Sequence, residues 1–263
     1  MARQSGGMEI APRAQTSSTY QHLFRVGGFP KLAASTVLAR TAGQFWSVAL
    51  VLFVLERYQS PALAGVATFL SIAPGLLVSP IAGALLDRHG RLRFIFVDYA
   101  SGAFFMTLLA ALAAARWLTP PLLLLVVAIS SLTGPLSSSG TRALFPSVVP
   151  PELWDRANAI DSGSQAAASI IGPALAGFAI ALLGGEGAFL VAAVGFVLAG
   201  VSLIGFVDPP PAPRAHASLL RSAWQALGYV FQHPTLRGIM LTFEVSNIGF
   251  GIVTVALPVL VLH

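Results

Sequence analysis

The sequence contains no cysteine and very little charge. Of its 263 residues none is Cys and only 10% are Asp, Glu, Lys or Arg, whereas soluble domains carry about 25% charged residues. The absence of cysteine excludes disulfides, thiolate metal sites and cysteine nucleophiles. The low charge, the 56% of hydrophobic residues and the mean hydropathy of +0.79 exclude an ordinary soluble domain. We therefore expect a chain that folds in a lipid bilayer.

Several signatures of enzymes and nucleic-acid binders are also missing. The five histidines lie outside or at the edges of the apolar runs, and their spacing does not fit a metal site. No Gly-rich loop with a following Lys is present to bind nucleotide phosphates, and no acid, histidine and nucleophile occur together within the spans. The net charge is +5, but the basic residues are scattered through short loops. We expect no enzyme activity, cofactor, metal or nucleic-acid partner.

The sequence does contain seven long apolar runs. Each has about 20 residues, enough for a helix to cross a hydrocarbon core about 30 Å thick. The alternating pattern of a membrane barrel is absent, so the predicted fold class is all-α, a polytopic membrane helix bundle. The runs are 32–55, 61–86, 94–115, 120–140, 157–183, 187–207 and 238–262.

The distribution of basic residues predicts the orientation of these spans. Nearly all Lys and Arg residues fall in the N-terminal segment and in loops on its side of the membrane, while Arg57 and Arg116 lie in loops on the other side. By the positive-inside rule the N-terminus is cytoplasmic, in a plasma membrane of the bacterial type. The first thirty residues lack the apolar core of a cleaved signal peptide.

The only long internal connection divides the chain into segments. It opens with Asp208 and three prolines, a composition that favours a linker. We predict a cytoplasmic tail at 1–30, a six-helix bundle at 31–207, a cytoplasmic linker at 208–237 and the first helix of a second bundle at 238–263.

The loop between the second and third runs carries the most specific motif. Residues 83–93 read Gly-Ala-Leu-Leu-Asp-Arg-His-Gly-Arg-Leu-Arg, which resembles the G-x-x-x-D-R-x-G-R-x-R signature of the major facilitator superfamily. The matching positions are Gly83, Asp87, Arg88, Gly90, Arg91 and Arg93. Gly90 permits a reversal with positive φ, and Gly83 permits close helix approach. The resemblance implies that Asp87 meets a helix N-terminus in the other half of the transporter and acts as a conformational latch. The alternative is a basic hairpin that only sets topology.

Two further segments resemble the drug and macrolide efflux branch of that superfamily. The first contains Arg-Ala-Leu-Phe-Pro from Arg142, a Pro-Glu-Leu turn, and Ala-Asn-Ala after Arg156. In the fifth run, Gly172, Pro173 and Gly177 belong to a Gly-Pro-Ala-Leu-Ala-Gly sequence that resembles the antiporter motif G-P-x-x-G-G. Small residues also serve ordinary helix packing and proline bends helices, so generic packing is an equal alternative.

Four ionisable residues within the runs are candidates for coupling or gating. A charge at the bilayer centre costs about 2.5–3.5 kcal/mol on insertion scales, so each residue is a functional candidate. The alternatives are snorkelling for Arg40, entry or gating contacts for the two aspartates, and a structural acid for the glutamate. The four residues are Arg40, Asp98, Asp161 and Glu244.

Aromatic and polar residues in the first run suggest a substrate cavity. Gln44, Phe45 and Trp46 are consecutive, and aromatic rings beside a few polar groups suit an amphipathic ligand. The hydroxyl-rich fourth run is better explained by packing, because serine bonds its own backbone.

The resemblance implies a secondary active transporter, a multidrug-resistance antiporter that exports amphipathic small molecules or drugs in exchange for protons. Its partners are the cell-membrane lipid, the small-molecule substrate and protons, with substrate bound between two six-helix bundles. Uptake of a small solute by the same fold is the alternative. A seven-helix receptor fits less well, because it exposes its N-terminus outside and the seventh run offers no lysine for a Schiff base. Since the signature needs the other half, we expect this chain alone to be an incomplete transporter.

Overall fold

A computed structural model describes residues 14–208, 228–229 and 231–262 of the protein. Within these ranges the regular structure is helical and contains no strand. The α-helices are α1 (Ala14–Arg25), α2 (Phe29–Tyr58), α3 (Pro61–Leu70), α4 (Ala73–His89), α5 (Arg91–Ala114), α6 (Pro120–Ser130), α7 (Gly134–Val148), α8 (Trp154–Ser202) and α9 (Pro234–Leu262), with a 3-10 turn at Pro151–Leu153 before α8.

Five stretches of the described chain are long and apolar enough to cross a membrane. They are Phe29–Tyr58, Pro61–Gly83, Arg91–Ala114, Pro120–Val148 and Pro151–Ser202. The second stretch consists of α3 and α4, and the fourth consists of α6 and α7. The prediction of an all-α membrane helix bundle is therefore confirmed.

Helix α8 contains two spans, because the chain reverses at Gly184. A straight helix of 49 residues would be about 74 Å long, more than twice the hydrocarbon thickness. Gly184 has φ 71° and ψ 179°, a conformation that glycine adopts readily. Before it, α8 runs along α2 in the same direction, and after it α8 runs back. The contacts that show this are Arg40 with Asp161 and Gly172 with Gln44 before the reversal, then Gly185 with Phe53 and Gly195 with Ala42 after it. The predicted fifth run, 157–183, ends just before this reversal, and the predicted sixth run, 187–207, begins just after it.

The second and fourth spans are each broken near the middle and touch at the breaks. Helix α3 ends at Leu70 and α4 begins at Ala73, while α6 ends at Ser130 and α7 begins at Gly134. Gly75 lies so close to the carbonyl oxygen of Ser131 that a methyl group would not fit. Pro74 and Pro135 occupy the first turns of α4 and α7. Proline costs no hydrogen bond there, because the N–H groups of the first turn have no partner within the helix.

The apolar core lies around α2, which packs against both halves of α8. Phe53 stacks on Phe189 with ring centroids 4.7 Å apart, and Leu109 and Leu123 are fully buried in the same cluster. Large apolar side chains also cover the outside of the bundle, for example Leu77 with 81% of its surface exposed. Such exposure is expected of helices whose outer solvent is lipid.

Helix α9 corresponds to the predicted seventh run. It contacts α3 and α2, and nearly all of its described side chains are exposed. Most of the predicted linker at 208–237, and the tail before residue 14, lie outside the described residues.

Candidate functional site: a polar cleft between four spans

A small polar cleft lies between α2, α5, α7 and the first half of α8. Its volume is about 150 Å³. Hydroxyl, amide and guanidinium groups line it, although these residues are far apart in the sequence. They include Arg40 from α2, Tyr99 from α5, Ser137, Ser138 and Arg142 from α7, and Gln165 from α8. Convergent polar groups inside an apolar bundle mark the default location for ligand binding in a membrane protein.

Arg40 forms an ion pair with Asp161 at the edge of this cleft. The Nη2 of Arg40 lies 2.8 Å from Oδ1 of Asp161, and the two side chains are 15% and 25% exposed. The Nη1 of Arg40 donates to the Asp161 carbonyl oxygen at 2.7 Å and to the Ser164 hydroxyl at 2.7 Å. Two residues that the sequence marked separately therefore form one contact that joins α2 to α8, and each charge balances the other.

Asp98 is the buried acid of the site. It is 7% exposed, and its carboxylate interacts with the side chains of Ser137 and Thr133. Ser101 and Thr133 share a further hydrogen bond of 2.6 Å. No basic side chain of the described residues forms an ion pair with Asp98. The hydroxyl-rich start of α7 thus solvates a carboxylate in the interior, besides bonding its own backbone.

A second buried contact lies beside Asp98. The Ser35 hydroxyl donates to the Ala199 carbonyl oxygen at 2.9 Å, and its oxygen lies 3.4 Å from the Tyr99 hydroxyl oxygen. Ser35 and Tyr99 are both buried. Sequence reasoning did not mark Tyr99 or Gln165 and treated Arg142 only as part of a family motif. The one available signal was the Asp-Tyr pair within an apolar run.

The signature loop is held by a residue that sequence reasoning placed only at the start of the linker. Gly90 has φ 89°, the positive value expected for the reversal. The Asp208 Oδ2 atom accepts hydrogen bonds from the backbone N–H groups of Arg91 at 2.8 Å and Leu92 at 3.0 Å. A carboxylate here satisfies free donors of the first turn of α5 and complements its dipole. Asp208 thereby attaches the end of the sixth span to the signature loop.

The other signature residues differ in their surroundings. The Nη1 of Arg91 donates to the Ser147 hydroxyl of α7 at 2.7 Å, and Arg93 is exposed. A methyl group added to Gly83 would meet no atom of the described residues within 4 Å, and the close helix approach expected at this position stays a prediction. The side chains of Asp87 and Arg88 lie outside the described part of the structure, and the latch stays a prediction.

The antiporter-like segment makes one very close helix contact. A Cβ atom on Gly172 would lie 2.6 Å from Gln44 Cβ and 2.9 Å from the Phe45 backbone nitrogen, whereas one on Gly177 would meet nothing within 4 Å. Pro173 lies inside α8. The small residue is therefore required for packing at Gly172 and not at Gly177.

The predicted cavity residues Gln44, Phe45 and Trp46 contact α8 outside the polar cleft. The Gln44 amide donates to the Ser169 hydroxyl at 3.4 Å, Phe45 is 3% exposed, and Trp46 packs against Phe189 with centroids 5.4 Å apart. Their role in substrate binding stays a prediction.

Glu244 of α9 is exposed, and the described residues give it no ion pair. The same part of the chain contains no group of three or more His, Cys, Asp or Glu residues that could hold a metal ion. The coupling role predicted for Glu244 is untested by these contacts.

The described helices and the polar cleft between them define a polytopic α-helical membrane protein. The chain belongs to the major facilitator superfamily, since the model of that family matches residues 32–263. It is 36% identical over 243 residues to a protein described as "Uncharacterized MFS-type transporter y4rN" from Sinorhizobium fredii (strain NBRC 101917 / NGR234). The alignment covers 92% of this chain and 60% of that relative. The chain therefore spans less than two thirds of the relative's length. The family is one of membrane transporters.

Proposed function

We propose that the protein is a secondary active transporter that exports amphipathic small molecules in exchange for protons by alternating access. The observation that carries this proposal is the polar cleft, which gathers charged and hydroxyl groups from four spans inside an apolar bundle. Polar groups at membrane depth are costly and occur where a substrate or ion passes. The N-terminus is proposed to be cytoplasmic in a bacterial plasma membrane, and the cycle to require a second bundle that rocks against this one.

Asp98 is the proposed proton carrier among the four ionisable candidates. Asp161 already has Arg40 as its counter-ion, and Glu244 is exposed on α9. Asp98 is buried without an ion-pair partner in the described residues, and the side chains that interact with its carboxylate are the neutral hydroxyls of Ser137 and Thr133. A carboxyl group in such a place is more stable in its uncharged form, so it takes up a proton when a conformational change closes the site to water. It releases the proton when water enters the site.

Everted membrane vesicles that contain the whole protein test this function. We expect energised vesicles to accumulate an amphipathic substrate and to lose the accumulation when a protonophore is added. The Asp98→Asn variant should bring accumulation down to the level of vesicles without the protein. The matched control is Asp155→Asn, which removes an exposed acid at the start of α8 and should leave accumulation unchanged.

Two results would contradict the proposal. Accumulation that is indifferent to the proton gradient would exclude proton coupling, and accumulation only in vesicles of the opposite orientation would assign uptake instead of export.

A further inference from the structure

We infer that the polar cleft recognises an anionic group, so that the transported molecules are amphipathic anions that carry a carboxylate. This inference rests on the proposed function and narrows its substrate class. It concerns the side chains that line the cleft, above all Arg40 and Arg142.

The lining of the cleft carries positive charge without an acidic residue among its members. Arg40 and Arg142 both line it, and the remaining lining residues are uncharged. Asp161 neutralises Arg40 from the α8 side. Arg142 is exposed and has no ion-pair partner among the side chains that the structure describes. The positive charge of Arg142 is thus the charge available to a ligand.

A second acid, Asp98, lies behind the hydroxyl groups of the cleft. Asp98 is buried, and it interacts with Ser137 and Thr133, of which Ser137 lines the cleft. Ser137 thus lies between Asp98 and the cleft, whereas Arg142 lines the cleft itself. The charge that a ligand in the cleft contacts directly is therefore that of Arg142.

The chemistry of the donors also fits a carboxylate. A guanidinium group presents several N–H donors in one plane, which match the two oxygens of a carboxylate. The hydroxyl group of Ser138 and the amide of Gln165 line the same space and can donate to the same oxygens. A cationic substrate would have to approach two arginines without an acidic lining residue.

The cleft is large enough to hold only one end of an amphipathic substrate. Its volume of about 150 Å³ is below the roughly 300–1,000 Å³ of pockets that enclose a drug-sized ligand. The cleft therefore holds the anionic head group, and the apolar remainder of the molecule lies outside it.

Equilibrium binding of three matched probes to the detergent-solubilised protein tests this assignment. The probes are a naphthyl carboxylate, its neutral amide and its amine analogue, which share one apolar part. We expect the carboxylate to bind about tenfold more tightly than the amide, and the amine no more tightly than the amide. Arg142→Gln should remove the preference for the carboxylate and leave amide binding unchanged, while Arg142→Lys should retain part of the preference.

The matched control is Arg25→Gln, which removes an exposed arginine outside the cleft and should keep the full preference. Equal binding of carboxylate and amide by the unmodified protein would overturn the assignment, and so would an equal loss in Arg25→Gln. The two proposals fail separately. Arg142-dependent carboxylate binding without proton-driven accumulation would contradict only the proposed function. Proton-driven accumulation of cations without a preference for the carboxylate would contradict only this inference.

Discussion

Gly172→Val is expected to destabilise the helix bundle strongly, and Gly177→Val is not. The Cβ atom of the new side chain would already lie 2.6 Å from Gln44 Cβ, 2.9 Å from the Phe45 nitrogen and 3.1 Å from the Thr41 carbonyl oxygen. Two of these atoms belong to the backbone of α2 and cannot rotate away. Overpacking of this kind costs typically about 1–3 kcal/mol, and a valine adds two further carbons.

Gly177 provides the matched control for this substitution. It lies in the same span five residues later, and a Cβ there would meet nothing within 4 Å. The change in helix propensity from glycine to valine is the same at both positions, so the difference between the variants isolates the clash. Thermal unfolding in detergent measures it, with a midpoint that falls by about 2–4 °C for each kcal/mol at this chain length. Equal midpoints for the two variants would show that α2 and α8 are not in contact at Gly172.

The contact between Arg40 and Asp161 is expected to show strong energetic coupling. Arg40→Gln removes the ion pair with the Asp161 carboxylate and the hydrogen bonds to the Asp161 carbonyl oxygen and to Ser164. Hydrogen bonds to charged groups contribute about 1.5–3 kcal/mol each, less where water reaches them. Asp161→Asn should cost less, because the carbonyl oxygen and Ser164 remain as acceptors. The double variant should cost about 2 kcal/mol less than the sum of the single variants.

Arg57 and Glu186 provide the comparison pair for the same double-mutant cycle. Their closest atoms are 3.4 Å apart, and their side chains are 30% and 38% exposed. An exposed pair contributes about 0.2–1 kcal/mol, so its coupling should be clearly smaller. Unfolding midpoints of the unmodified protein, the four single variants and the two double variants measure both cycles. Coupling at Arg40 that does not exceed coupling at Arg57 would remove the structural role assigned to the inner pair.

The elements of this fold were predictable because apolar run length depends on local sequence alone. The gap between the fifth and sixth runs coincides with Gly184, and the positive φ of Gly90 follows from a glycine in a short loop. The pairing of Arg40 with Asp161 was not predictable, since it depends on how two spans are aligned across 121 residues of sequence.

The cleft was only partly visible in the sequence for the same physical reason. Arg142 and Tyr99 line it because α7 and α5 are rotated so that these side chains face it. The sequence does not predict this rotation, because a helix in lipid is apolar on all sides and its inward face is not marked by a polar outward face. Asp208 looked like the first residue of a linker, yet it caps α5. A cap formed by a residue 117 positions away in sequence leaves no local signal.

Single-cysteine labelling tests most directly whether substrate occupies the cleft. The protein has no cysteine, so Ser138→Cys, at an exposed lining position, reports on the cleft without background. A naphthyl carboxylate should slow its reaction with a membrane-impermeant maleimide, and should leave the reaction of Glu152→Cys, in the exposed turn before α8, unchanged. Unaltered labelling of Ser138→Cys at a carboxylate concentration that saturates binding would contradict the assignment of the cleft as the substrate site.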